Sequence, residues 1–450
     1  MFNFTCIPAV EKSRTIKLRP NTTVQLMHWM LYVSVATVSF DIFLVVNIGF
    51  NFRISQLVLI PVMLYVALTR LTSKHTVVPV GFCYLLVWST FILLFVPNTS
   101  LPVRSAGYVF WLLFNIATIF IFVQLFRTAQ RINQLIRYYI YSFSFVATFG
   151  LAQFILPLFG LEAPLVEQWW IPGMLARING FSYEPSYFAT YLTIGWVMVA
   201  SLHKDKATII AKRSLFNIYL LLTVAMILSS SRMGWLVMIL WYLQFPVQFL
   251  FKLFCSGIDR RLLGKTLLLI VICVICYIFV SVVGIDAIKF LIEGLGILGG
   301  SSHSSSTRIN ELLDTLTVFA ESPFIGYSLG GVSSAIGALR GVHITDLETA
   351  KGHEGMNVFA EVLAASGIIG GLVFAAYVAL LFYLPIKFVR KSADSVFRPL
   401  VKALVISLGF ELLILQFNQN ILRPYLWMHI AVLCCTYAVA QSYHKSQVPA

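Results

Sequence analysis

Four arginines stand apart from the basic clusters of this sequence because each accompanies a short polar motif. They are Arg177 in ARINGFSYEPSYFA, Arg232 in SSSRMGW, Arg308 in RINELLDTLTVFA and Arg423 in FNQNILRPYLW. Arginine presents a planar fork of donors that matches the oxygens of phosphate groups. If the four converge, they form a binding site for a diphosphate. The alternative is that each extends to lipid headgroups, which is common near the ends of membrane helices.

A second group of candidates lies in GHEGMNVFAEVLAASGIIGG at residues 352–371. His353, Asn357 and Glu361 recur every four residues, which predicts that they share one face of a helix. His353 and Glu354 are candidates for the general base that removes a proton from an attacking hydroxyl. Asn357 is a candidate sugar contact. For His353 the alternative is a solvated loop residue without a role.

Glu184 in the motif SYEP is a third candidate for acid–base chemistry. A carboxylate directly before a helix also favours the helix N-terminus, so capping is the alternative for this residue. Tyr183 beside it and Asn420 in FNQN are candidates for binding sugar. Aromatic residues near helix ends are also typical of the interfacial belt of membrane proteins.

Several familiar motifs are missing from the sequence. It contains no D-x-D, no P-loop, no G-x-G-x-x-G after a strand and no H-E-x-x-H. Nucleotide and zinc chemistry therefore lack support from sequence. We predict neither a metal site nor a cofactor.

The elements that must position these residues are membrane helices. The chain of 450 residues is 59% hydrophobic and 11% charged, and its apolar residues form runs of about the length that crosses a bilayer. These runs predict a single integral-membrane domain over residues 1–450, all-α and polytopic, with about 12 transmembrane helices. The predicted spans lie at approximately 25–48, 54–69, 77–97, 107–126, 138–160, 186–202, 214–229, 233–251, 266–285, 357–384, 400–417 and 424–441.

The net charge of +14 fits membrane topology better than nucleic-acid binding. Most of the 32 Lys and Arg residues fall on the side of the predicted spans that also holds both termini. The positive-inside rule therefore predicts that both termini are cytoplasmic. The basic clusters act as orientation signals, and no nucleic-acid partner is expected.

Two loops on the opposite, outer side are long, at residues 161–185 and 286–356. Long loops in a compact protein are often functional. In the larger one, apolar residues at helical spacing predict an amphipathic helix on the outer membrane surface, with Thr307 as its N-cap and Ser322-Pro323 as its stop. The apolar face comprises Ile309, Leu312, Leu313, Leu316 and Phe319. Arg308 would then open the helix, where the N-terminus adds its own preference for an anion.

In their order, these motifs resemble those of the O-antigen ligase/polymerase superfamily. The set comprises R-x-N-G-F-x-x-E-P, S-S-S-R-x-G, P-F-x-G-x-S-x-G after an arginine-led helix, and N-V-F-x-E-x-L-A-x-x-G-I-I-G. The resemblance spans roughly residues 170–371, and residues 417–427 are similar to the tail of Wzy-type O-antigen polymerases.

The resemblance implies a metal-independent glycosyltransferase with a GT-C-like architecture. Such an enzyme acts at the periplasmic face of the bacterial inner membrane on sugars linked to undecaprenyl diphosphate. The resemblance also implies that Arg177, Arg232 and Arg308 hold the diphosphate and that the start of the tenth span faces the reacting sugars. Its partners are then the lipid-linked oligosaccharide and membrane lipid, with a chain-length regulator protein as a further candidate.

The chain departs from the ligase pattern at one position. Ligases carry a histidine immediately before the asparagine of the tenth span, where this chain has Met356. The departure favours a polymerase, and a ligase that transfers glycan to lipid A-core is the alternative. A third hypothesis is a polysaccharide transporter. It would require inverted repeats and ion sites within the membrane, and the sequence shows neither clearly.

Overall fold

Helices dominate the computed structural model, which describes most of the chain. The described residues are 22–47, 51–70, 76–255, 260–283, 302–344, 349–350, 352–355, 357–392, 394–417 and 421–447.

Fourteen α-helices and four short strands occupy the described residues. The helices are α1 Thr22–Ala36, α2 Ile54–Arg70, α3 Phe82–Leu94, α4 Pro102–Leu125, α5 Ala129–Leu158, α6 Pro185–Lys204, α7 Lys212–Leu228, α8 Arg232–Cys255, α9 Arg260–Val283, α10 Ser302–Glu321, α11 Val332–Leu339, α12 Val358–Lys391, α13 Phe397–Ile414 and α14 Pro424–Gln447. The strands are β1 Val45–Asn47, β2 Asn51–Arg53, β3 Trp169–Ile171 and β4 Leu175–Ala176. All helices except α10 and α11 overlap the twelve apolar stretches predicted from sequence.

The described helices include four that are long and apolar enough to cross a membrane by length and composition. They are Pro102–Leu125, Ala129–Leu158, Arg232–Leu253 and Val358–Lys391. Many large apolar side chains also point outward from the bundle, such as Leu68, Phe159 and Leu372, each at least 65% exposed. Exposure of such a surface to water is unfavourable, whereas its contact with lipid is not. The fold is therefore that of a helical membrane protein, and twelve remains the predicted number of spans.

The first predicted span is shorter than the sequence indicates. We predicted a helix across 25–48, but α1 ends at Ala36, and β1 and β2 form an antiparallel hairpin after it. Asp41, which the sequence places inside a span, therefore lies between α1 and the hairpin. Its backbone N–H donates to the carbonyl of Phe181 at 2.9 Å. This segment is therefore bonded to the shorter outer loop, which spans residues 161–184 in the structure because α6 begins at Pro185.

Helix starts cluster at one end of the bundle, which we call the site end. Pro102, Pro185 and Pro424 each stand at the beginning of a helix there, where the missing N–H costs no hydrogen bond. Asn357 caps α12, because its side-chain oxygen accepts from the backbone N–H of Ala360 at 2.9 Å. In the interior, α13 packs against α6 and α12, while α14 packs against α4. The site end therefore brings together segments that are distant in sequence.

Helix α12 is broken at Gly367, which has a φ of 59° and a ψ of −168°. The segment 323–328 fills the break. The N–H groups of Tyr327 and Ser328 donate to the carbonyls of residues 364 and 365 at 2.9 and 2.8 Å, and the N–H of Ile368 donates to the carbonyl of residue 323 at 2.7 Å. Irregular backbone in a membrane helix is tolerated where protein groups satisfy it in this way.

Helix α10 begins five residues earlier than its predicted N-cap. It starts at Ser302, so Thr307 lies within the helix, and it ends at Glu321 directly before the predicted stop. The helix packs on α12. Glu311, Thr315 and Val318 are buried on the inner side, whereas three of the five predicted apolar residues, Ile309, Leu313 and Leu316, are exposed. The inner side of the helix is therefore mixed in polarity, and most of the predicted apolar face points away from the bundle.

The shorter loop is organised by two buried amides. The Nε2 of Gln153 donates to the Gly180 carbonyl at 3.0 Å, and its Oε1 accepts from the Gly180 N–H at 2.8 Å. The Nδ2 of Asn179 donates to the Ser182 carbonyl at 2.7 Å. A Cβ on Gly180 would lie 2.6 Å from the ring of Phe188, and its φ is +56°. Asn179 and Gly180, in the motif ARINGFSYEPSYFA, therefore fix the path of the loop that carries Arg177.

Candidate functional site

Three arginines from three separate segments come within electrostatic range at the site end. Burial lowers the pKa of the Arg177 guanidinium, Glu184 raises it, and the charge of Arg232 lowers it further. For Arg308, burial is again the largest cause of a lowered pKa, followed by Arg232, while Glu184 opposes both. The structure thus collects Arg177, Arg232 and Arg308, which we call the arginine cluster. Its mutual repulsion favours an anionic ligand.

The serines before Arg232 attach this part of the chain to the 161–184 loop. The Nε of Arg177 donates to Ser230 Oγ at 3.4 Å, and its Nη1 donates to Gln168 Oε1 at 2.8 Å. The indole N–H of Trp170 donates to the same serine hydroxyl at 3.1 Å. Ser230 has a φ of 49°, a left-handed conformation that ends α7 and allows α8 to start at Arg232. The two motifs therefore position two cluster arginines together.

Arg308 does not open its helix, contrary to the prediction. Helix α10 starts at Ser302, so Arg308 lies beyond the first turn. The electrostatic effect of a helix N-terminus falls off within that turn. The anion preference expected from the helix end is therefore lost at this position, and Arg308 contributes through its own charge beside Arg232.

Glu184 occupies the N-cap position of α6 without capping it. Its side chain makes no hydrogen bond to the helix backbone and accepts from the hydroxyl of Ser186 at 2.8 Å. Its charge acts on both Arg177 and Arg308. The carboxylate is therefore part of the electrostatic environment of the arginine cluster.

Arg423 lies in a different environment from the arginine cluster. Its guanidinium carbon is 3.9 Å from the centre of the Tyr187 ring, and its Nη1 is 4.0 Å from Asp41 Oδ2. Asp41 also pairs with Arg53, whose Nε is 2.7 Å from Oδ1. The hairpin after α1 thus brings a buried acid to the start of α14, and Arg423 is held between this acid and an aromatic ring.

The structure adds two residues that the sequence did not single out. Arg104, in the first turn of α4, is 7% exposed, and its Nη2 donates to Glu354 Oε1 at 2.8 Å. The Tyr108 hydroxyl donates to the same oxygen at 2.6 Å. Arg104 could have been identified from the sequence, because it is one of the few basic residues on the predicted outer side, in the stretch LPVRS.

The predicted common helix face of His353, Asn357 and Glu361 is wrong. Helix α12 begins only at Val358, because Asn357 caps it, and His353 lies in a turn before the cap. His353 Nδ1 lies 3.1 Å from the carbonyl of residue 349. The Nδ2 of Asn357 donates to the carbonyl of residue 416 at 2.9 Å, so this side chain joins α12 to the turn after α13 in addition to capping α12.

Glu361 lies in the first turn of α12 and is 4% exposed. Its Oε2 accepts from the backbone N–H of Ile421 at 3.1 Å, which fixes the chain just before Arg423. Tyr183 is 48% exposed at the surface of the shorter loop. Asn420 and Met356 lie outside the described residues, so their predicted roles stay predictions.

This arrangement combines cations that suit a diphosphate with carboxylates that suit acid–base work. No group of three or more His, Cys, Asp or Glu side chains that could hold a metal occurs within the described part of the chain.

Residues 218–375 match the family model described as O-antigen ligase. No curated protein matches the chain. The matched segment contains Arg232, Arg308 and Glu354, whereas Arg177 lies outside it. The match supports the O-antigen ligase/polymerase superfamily, whose members are glycosyl-transferring enzymes that act on lipid-linked glycans.

Proposed function

We propose that this chain, a protein of the O-antigen ligase/polymerase superfamily, is an O-antigen polymerase. It joins undecaprenyl-diphosphate-linked repeat units at the periplasmic face of the bacterial inner membrane, with both termini in the cytoplasm. The observation that carries the proposal is the convergence of Arg177, Arg232 and Arg308 from three separate segments on one end of a helical membrane bundle.

A diphosphate fits this cluster better than a neutral ligand does. Half-buried guanidinium groups that repel one another gain most from a ligand with several negative charges, because the ligand replaces lost solvation and relieves the repulsion. The segments that supply Arg177 and Arg232 are tied together through Ser230. Two of the three arginines are therefore positioned together before a ligand binds, which increases their electrostatic effect on a reacting group.

In the proposed reaction, a hydroxyl of one lipid-linked repeat unit attacks the anomeric carbon of the growing chain. The new glycosidic bond forms while the bond from that carbon to the diphosphate breaks, and undecaprenyl diphosphate departs with the electron pair. A carboxylate of the site accepts the proton of the hydroxyl. Diphosphate is a good leaving group, so catalysis requires mainly cationic stabilisation and orientation, both of which the site end supplies without a metal.

The ligase reaction is the second candidate because the matching family model is described as O-antigen ligase. Both reactions use the same donor and differ in the acceptor, which for a ligase is lipid A-core. Met356 at the position of the ligase histidine favours the polymerase. A chain-length regulator protein is a proposed partner of the polymerase.

The test uses lipopolysaccharide from a deletion strain complemented with the wild type or with single variants. A deletion that leaves core with one repeat unit supports the polymerase, whereas bare core supports the ligase. Arg232→Ala and Arg308→Ala should each reproduce the deletion pattern. Arg340→Ala is the matched control, because this arginine pairs with Asp314 at 2.7 Å on an exposed surface. Normal ladders from both cluster variants, at normal membrane levels, would remove the arginine cluster from the proposal.

A further inference from the structure

The Arg104–Tyr108–Glu354 cluster has a geometry suited to a reacting hydroxyl. We infer that it forms the acceptor site of the enzyme, in which a sugar hydroxyl of the lipid-linked acceptor binds to Glu354. Glu354 is the base of the reaction, and Arg104 and Tyr108 are positioning residues. The inference rests on the proposed glycosyl transfer and assigns the base, which the sequence left open between Glu354 and His353.

The two hydrogen-bond donors Arg104 and Tyr108 contact the same carboxylate oxygen of Glu354. Arg104 Nη2 and the Tyr108 hydroxyl lie 2.8 and 2.6 Å from Glu354 Oε1, and no described residue donates to Oε2. The Glu354 side chain remains 28% exposed, while that of Arg104 is 6% exposed. One oxygen is thus fixed from the protein side, and the other remains for a hydroxyl that arrives from outside.

An ordinary structural ion pair would look different. Arg340 and Asp314 form such a pair, with Nε and Nη2 both on Oδ2 and with both side chains about one-third exposed. Arg104 is instead buried, and its Nη1 has no hydrogen-bond partner among the described residues. Burying a guanidinium that is only partly satisfied is costly, and such groups are retained where they serve a function.

Glu354 also interacts electrostatically with other ionisable groups of the site. Its charge acts on Arg423, Tyr187 and Glu361. Tyr187 in turn interacts electrostatically with Arg308 of the arginine cluster. A hydroxyl on Glu354 would therefore lie near the cations that hold the donor diphosphate, as a transfer between two bound substrates requires.

Close backbone packing holds the cluster in place. A Cβ added to Gly330 would lie 2.5 Å from Ser105 Cα, so the segment directly before α11 packs against the first turn of α4. A Cβ on Gly355 would lie 3.2 Å from Thr315 Oγ1 of α10. The residues next to Arg104 and Glu354 are thus closely packed, which favours a preorganised pair.

The proton balance of the step follows from this placement. The hydroxyl proton moves to Glu354 Oε2 while the oxygen forms its bond to the anomeric carbon, and the diphosphate leaves with the electrons of the broken bond. The partly exposed carboxyl then releases the proton to water. His353 is less suited to this role because its Nδ1 lies 3.1 Å from the backbone carbonyl of residue 349, four positions earlier in the chain.

The experiment measures transfer by the purified full-length protein in nanodiscs, with a synthetic undecaprenyl-diphosphate-linked repeat unit as both donor and acceptor. Glu354→Gln preserves the shape of the side chain and removes its charge. We expect its kcat to fall about a hundredfold or more, in the range of lost general-base catalysis. Thermal stabilisation by the lipid-linked substrate should remain, because the arginine cluster is intact. His353→Ala should retain most activity.

A charge exchange separates chemistry from structure. The double variant Arg104→Glu with Glu354→Arg keeps an ion pair and should stay folded but inactive, whereas the same exchange at Arg340 and Asp314 should stay active. Tyr108→Phe and Arg104→Lys should lower kcat without changing KM, as expected for positioning residues. Normal turnover of Glu354→Gln, or activity restored by the exchange at Arg104 and Glu354, would overturn the inference.

The proposed function and this inference fail in different ways. If the wild type transfers nothing from a diphosphate donor, or if Arg232→Ala transfers normally, the proposed function is wrong. If the wild type is active and Arg232→Ala is not, but Glu354→Gln matches the wild type, only the acceptor site is wrong.

Discussion

The guanidinium of Arg423 stacks on the ring of Tyr187, with 3.9 Å between the guanidinium carbon and the ring centre. The contact joins the first turn of α6 to the residue before α14. Asp41, 4.0 Å from Arg423 Nη1, adds the segment after α1. Three distant parts of the chain therefore meet at one arginine, which orients a cation toward the site end without a direct bond to the arginine cluster.

The stacking predicts different outcomes for two substitutions of Tyr187. Phenylalanine keeps the aromatic face and should retain most activity. Leucine removes the cation–π interaction, worth about 0.5–2 kcal/mol, and should lower transfer about two- to thirtyfold. Turnover and melting temperature of both variants provide the measurement. Equal losses for the two would show that the hydroxyl matters, and the stacking would then not explain the role of Tyr187.

The arginine cluster predicts a response to inorganic pyrophosphate. Because burial and the charge of Arg232 lower the pKa of Arg308, a bound anion should relieve this unfavourable environment and raise the melting temperature of the wild type. Arg308→Gln should reduce the increase and Arg340→Gln should not. The increase should also diminish at high salt, since ions screen partly exposed charges. An equal shift in both variants would place pyrophosphate elsewhere.

Sequence reasoning was most successful where composition alone decides. Long apolar runs have few alternatives to helices, so every predicted span contains a helix in the structure. It failed at α1, because residues 37–47 are apolar enough for a span but bond to the 161–184 loop and form a hairpin. Hydropathy contains no information about hydrogen bonds between distant segments.

The site was only partly predictable for a related reason. The three cluster arginines were identified because each stands in a polar motif, but Arg104 stands in none, and its partner is 250 positions away. The break in α12 at Gly367 was not predicted from the sequence either. It depends on the docking of residues 323–328 on α12, a contact between segments that are separate in sequence.

The break in α12 predicts that Gly367→Ala is strongly destabilising. Gly367 has a positive φ, and an added Cβ would lie 2.2 Å from the Phe324 backbone, where nothing flexible can move away. Left-handed strain in a non-glycine residue costs about 1–3 kcal/mol, and the clash adds to this. Gly409→Ala is the matched control, because its Cβ would meet Phe382 at an ordinary 3.6 Å. Melting temperatures that fall equally for both would contradict the account.

Charge stabilisation by arginine predicts that transfer does not require a divalent metal. A chelator added to the purified protein should leave turnover within about twofold of the untreated sample, because the guanidinium groups neutralise the leaving diphosphate. The matched comparison is Arg232→Ala, whose loss of activity should not be restored by added magnesium. Complete loss of wild-type activity with chelator, restored by a metal, would exclude the metal-independent mechanism.

The proposed sidedness places the arginine cluster in the periplasm, and cysteine labelling tests it. Asn310 in α10 and Thr208 between α6 and α7 are both exposed and lie on opposite sides in the predicted topology. In a variant without its native cysteines, Asn310→Cys should react in cells whose outer membrane has been opened with a maleimide that does not cross the inner membrane. Thr208→Cys should react only after the inner membrane is disrupted. The reverse pattern would place the cluster in the cytoplasm, on the wrong side for repeat units that have already been transported.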